Sequence, residues 1–142
     1  MTVRLQKWNR LMLDTLLAQP APIPLHAIAA LLAIALAGAQ FALPKGGMLH
    51  KIMGRLWVLL MIVICLTSFF IHELRLIGLF SPIHLLSIFT LFALVRAVQY
   101  ARKGDIKRHR RIMQNLTIFA LIITGLFTLL PGRVMHSVLF GA

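Results

Sequence analysis

The residues of this chain best suited to chemistry are its six histidines, His26, His50, His72, His84, His109 and His136. A neutral imidazole offers a nitrogen lone pair, so it is a common ligand for haem iron and other metals. Two imidazoles from different helices can hold one haem from both faces. His50 and His109 make the best such pair, because each immediately precedes an apolar stretch. A second pair is His26 with His84, or His72 with His84. On a helix His50 and Gly54 share a face, and the missing side chain at Gly54 leaves room for a neighbouring helix or a flat ligand. Arg55 would then meet an anionic interface or an acid on the ligand. Met113, four residues after His109, is a further axial-ligand candidate, although filling a core is the commoner use of methionine.

A bland reading stands beside this one. Histidines near a membrane surface also hydrogen-bond water and lipid headgroups, and mirrored pairs follow from duplication without any chemistry. Distance matters too: His50 and His72 are 22 residues apart, roughly 33 Å on a continuous helix. Haems held at those extremes would be too far apart for easy direct electron exchange.

Other chemistries are poorly supplied. The only acids are Asp14, Glu73 and Asp105, all outside the long apolar runs. A carboxylate proton relay or a two-acid hydrolase needs such groups held close together. Ser68 has no acid–histidine arrangement to activate it. The glycines beside Lys45 and Lys103 do not form a phosphate-binding loop, and the single cysteine, Cys65, has no partner for an intramolecular disulfide. Arg96 lies one turn before Tyr100 and can snorkel to the surface; buried, it would be a counter-charge for a quinone, phosphate or carboxylate.

The elements that must position these residues are helices in a membrane. Sixty per cent of the 142 residues are hydrophobic, and the apolar runs are continuous rather than alternating, which excludes a membrane β-barrel. The fold expected is all-α and polytopic, with four transmembrane helices near residues 24–43, 49–71, 82–100 and 112–130. Each has close to the ~20 residues that cross the hydrocarbon core. Pro22, Pro24 and Pro82 mark span starts, with Ser81 as the N-cap before Pro82. Pro44 with Gly46 and Gly47, and Pro131 with Gly132, mark span ends. Ala29, Ala33 and Ala37 line one face of the first span, where small residues admit a close neighbour. Residues 1–20 form a separate amphipathic segment, with Leu5, Trp8, Met12 and Leu16 on the face that lies in the interface. Residues 21–142 form the transmembrane domain.

Charge sets the orientation. The formal net charge of +12 reflects basic residues beside helix ends rather than a nucleic-acid surface. Ten of the fifteen lie in the connections 44–55 and 96–111, against Arg4, Lys7, Arg10, Arg75 and Arg133 elsewhere. Those connections are expected to be cytoplasmic and both termini outside. The halves, about 21–72 and 79–136, also match each other. Pro24-Leu25-His26 parallels Pro82-Ile83-His84, and Lys45-Gly46 parallels Lys103-Gly104 at the same offset. Such spacing predicts two hairpins related as parallel repeats.

Several of these motifs, in order, resemble the bacterial membrane-protein family called domain of unknown function 2306. They are Lys45-Gly46 with His50 and Gly54-Arg55, then Ser81-Pro82-Ile83-His84, the basic run Arg102 to Met113, and Pro131-Gly132-Arg133 with His136. The resemblance implies a small multi-helix protein of the bacterial inner membrane and brings no activity with it. The plan also looks like transmembrane b-type cytochromes in general, but with histidines closer to the helix ends. Two function classes follow: a membrane redox component binding haem b or a quinone through its histidines, or a non-enzymatic protein such as a small transporter, a lipid-binding factor or a subunit of a larger complex. Expected partners are membrane lipids and a membrane-protein partner or second copy.

Overall fold

A computed structural model describes residues 2–71 and 82–140. His72, Glu73, Arg75 and Ser81 lie outside the described residues, as do the side chains of Leu5 and Trp8. The described chain is helical, with α1 at Thr2–Leu17, α2 at Ile23–Ala42, α3 at Met48–Ser68 and α4 at Pro82–Arg102. Next come α5 at Ile106–Asn115, a π-helical segment at Leu116–Ile123, α6 at Thr124–Phe127 and α7 at Val134–Phe140.

Helices α2, α3 and α4 are each long and apolar enough to cross a membrane. The fourth expected span is divided among α5, the π segment and α6. Helical dihedrals persist through both junctions, with φ of −62° at Leu116 and at Thr124. The β-branched Thr117, Ile118, Ile122 and Ile123 crowd the turn preceding them. The Thr117 and Thr124 hydroxyls also bond back to the carbonyls of Met113 and Phe119, a habit that loosens regular α-helix.

Helix α2 packs on α3, α3 on α4 and α4 on α5, and the π segment returns to α2, closing a four-membered ring. Its core contains Ala33 and Ala37 of α2, Trp57 and Met61 of α3, Leu94 of α4, and Leu116 and Leu121 of the π segment. The alanine stripe has the use expected of it. Ala33, fully buried, leaves space for the Trp57 indole, whose N–H donates to the Ala33 carbonyl at 3.0 Å. Outward positions carry large apolar side chains, among them Leu31, Leu59, Leu85, Phe89 and Phe92. Buried positions of α4 instead include His84, Ser87 and Thr90. Small and polar groups inside with bulky apolar groups outside is the arrangement a hydrocarbon solvent permits.

The helix of the fourth expected span starts earlier than expected, at Ile106 rather than near residue 112, and α4 runs on to Arg102. The unwound links are only residues 43–47 and 103–105; Lys51 and Arg55 lie within α3, Arg96 and Arg102 within α4, and Lys107 to Arg111 within α5. Lysine and arginine are good helix formers, so charge ends a hydrophobic run without ending its helix. Gly46 and Gly104 make the two reversals with φ of +89° and +77°, a conformation that side chains disfavour. Asp105 then caps α5 by accepting from the Arg108 backbone N–H at 3.1 Å.

The N-terminal helix forms as expected, but its Leu16 face is covered by protein. Leu16 is buried with Ala27 and Val138, with Met12, Val134 and Met135 packed alongside. Its partner α7 was not expected from sequence, because seven residues following Pro131 and Gly132 are too few to register as a separate apolar period.

Candidate functional site

The short links place the N-terminus of α3 and the N-terminus of α5 at one end of the bundle, together with ten basic residues. His50 in the first turn of α3 and His109 in the first turn of α5 thereby lie at the same end of the bundle. They belong to different hairpins, so the ring of helices, not local sequence, brings them together.

His109 is fixed through Nδ1, which lies 2.9 Å from the Ala97 carbonyl oxygen on α4. Since a carbonyl can only accept, Nδ1 bears the proton and Nε2 is left as the lone-pair nitrogen of the neutral ring. Ala97 is fully buried, and its small side chain lets α5 come close enough for the contact. Backbone anchoring of one ring nitrogen is how ligating histidines are commonly oriented.

His50 is held less directly. Gln40 near the end of α2 donates its Nε2–H to the His50 carbonyl at 2.9 Å. A Cβ built on Gly54 would stand 3.4 Å from that same amide nitrogen, so Gly54 is where α2 approaches α3. The His50 Nδ1 atom is buried and has no hydrogen-bond partner among the described residues. Buried polar atoms are nearly always paired, and an exception calls for a water, ion or ligand.

The other histidines have different surroundings. His26 Nδ1 lies 2.9 Å from Thr67 Oγ1, whose own hydrogen is directed to the Val63 and Ile64 carbonyls, so His26 donates. Next to Thr67, the buried Ser68 hydroxyl meets the Ser87 hydroxyl at 2.6 Å. Their two protons serve three contacts, the others being the carbonyls of Cys65 and Ile83. His84 is buried and stacks on Phe69, with ring centroids 5.5 Å apart. His26 and His84 thus share an end of the bundle, each engaged with α3. His136 donates through Nδ1 to the Leu129 carbonyl at 2.8 Å and lies against Phe140, fastening α7 to the chain before it.

Of the remaining candidates, Met113 packs against the apolar core. Arg55 is exposed, and Arg96 is exposed with its guanidinium donating to the Tyr100 hydroxyl at 2.7 Å. Among the described residues no three His, Cys, Asp or Glu side chains gather as a metal-ligand set. A two-histidine haem site does not require such a set. Gln40, a polar residue within an apolar run, is expected to hydrogen-bond across helices and does so here; Ala97 carries no signal in the sequence.

The apolar exterior, the small and polar interior and the membrane-length helices define a polytopic α-helical membrane protein. The family model described as Predicted membrane protein (DUF2306) matches residues 23–139, and the chain belongs to that family. No curated protein and no solved structure matches the chain.

Proposed function

We propose that this is a small redox component of the bacterial inner membrane, binding haem b or a quinone at the end of the bundle formed by His50 and His109. The observation that carries the reading is that these two histidines, from separate hairpins, stand in the first turns of α3 and α5 at the same end of the bundle. His109 has Nδ1 anchored, and His50 has Nδ1 buried without a partner among the described residues. A haem would be held by His109, through the lone pair at Nε2, and by His50, and would supply one-electron transfer there. For a quinone, imidazole N–H donates to the ring carbonyl and a lone pair accepts from the reduced hydroxyl.

In this reading α5, the π segment and α6 together make the fourth span, and the hairpins are parallel repeats. The paired left-handed glycines, Gly46 and Gly104, support that relation. The ten basic residues support a cytoplasmic His50–His109 end with both termini outside.

The full chain, purified in mild detergent and supplied with haem b, should give a low-spin visible spectrum that changes on reduction and is lost in His50→Ala and His109→Ala. A short-chain quinone tested in parallel should show saturable binding with the same sensitivity if quinone is the ligand. Silence toward both would leave the non-enzymatic class, a transporter, lipid-binding factor or complex subunit.

A further inference from the structure

The turn between α4 and α5 gathers more positive charge than its one carboxylate can balance. Arg96 Cζ lies 5.0 Å and Arg108 Cζ 5.4 Å from the centroid of the Tyr100 ring. Two guanidiniums therefore share one aromatic platform, and Arg96 also donates to its hydroxyl at 2.7 Å. Asp105 reaches only Arg108, with Oδ2 at 3.3 Å from Nε. Side-chain exposures of 66% and 36% make that a surface pair, which binds its partners weakly and yields readily to a competing anion. Asp105, Lys107, Arg108 and Arg111 line a concavity of about 380 Å³. Lys107 and Arg111 are four residues apart, on one face of α5.

We propose that this concavity binds the phosphate of an anionic phospholipid headgroup. Arg108 and Arg111 supply the forked N–H donors that match phosphate oxygens. Lys107 adds a point charge, and Tyr100 with Arg96 holds Arg108 in place as a positioning group. Tyrosine sits naturally at headgroup level, where its ring is in the apolar boundary and its hydroxyl is wet. The site is separate from the histidine pair: α5 turns His109 inward with Ile112 and Met113, and leaves Lys107, Arg108 and Arg111 exposed.

The test is native mass spectrometry of the full chain from neutral detergent, offered phosphatidylglycerol or phosphatidylcholine. Wild type should retain one phosphatidylglycerol in preference to phosphatidylcholine. Arg108→Gln with Arg111→Gln should lower retention by about tenfold or more. Lys45→Gln with Lys51→Gln, an equal charge change at the same end, should leave it unaltered, and Tyr100→Leu should weaken it by about threefold. An added arm uses inorganic phosphate alone. A saturable thermal shift abolished by the arginine pair would assign the phosphate site to the free ion, whereas no shift beside lipid retention assigns it to the headgroup. Equal loss in both charge pairs, or no preference for phosphatidylglycerol, would overturn the proposal, since general charge attraction would then account for the binding.

Discussion

The two ends of the bundle use the same kinds of residue in opposite ways. At the end where α3 finishes, polar side chains face one another across helices: His26 to Thr67, and Ser68 to Ser87. Hydroxyls there also bond back to their own helix carbonyls. Around the two histidines of the basic end, the contacts between helices run from a side chain to backbone. Gln40 bonds the His50 carbonyl and His109 bonds the Ala97 carbonyl through Nδ1, which leaves His109 Nε2 outside that contact. The first end is a fastening; the second is a set of oriented groups. Histidines at the two ends therefore sit in different hydrogen-bonding surroundings.

Substitutions should separate the two roles. The largest expected loss is between the ends, where Trp57→Ala removes a buried ring and its bond to Ala33, costing about 3 kcal/mol in unfolding from detergent. At the fastened end, a double-mutant cycle on Ser68→Ala and Ser87→Ala should give a coupling of about 1 kcal/mol. A coupling near zero would remove the contrast. Gln40→Leu at the basic end should cost less, about 0.5 kcal/mol, because the His50 carbonyl remains within its helix. Smallest of all is Gly54→Ala, whose Cβ meets only the Gln40 amide at 3.4 Å. Improved helix propensity offsets that contact, leaving stability within about 0.5 kcal/mol of wild type. Gly54→Leu, by contrast, should displace Gln40 and reduce ligand binding while the chain still folds.

Much of this scaffold was legible in one chain. The apolar runs, the helix-ending prolines and glycines, and the alanine stripe each have a local physical cause that residue identity reveals. His50 and His109 stand at matched positions before apolar stretches, and that is what proposes them as a pair. Contacts between helices were less legible. Ser68 and Ser87 are 19 residues apart and His26 and Thr67 are 41 apart, and isolated hydroxyls within apolar runs do not announce their partners. The extension of α5 back through Lys107 to Arg111 was hidden because hydrophobicity and helicity end at different places. Likewise, the π segment depends on crowding within a turn that still reads as an ordinary apolar period.

The most direct measurement is a calorimetric titration of the full-length wild type and His109→Ala with haem b and, separately, with a short-chain quinone. The account predicts that at least one ligand saturates at one per chain in wild type and loses at least tenfold in affinity in His109→Ala, while the variant unfolds within about 1 kcal/mol of wild type. Equal binding by both proteins, or no binding of either ligand to wild type, would contradict it.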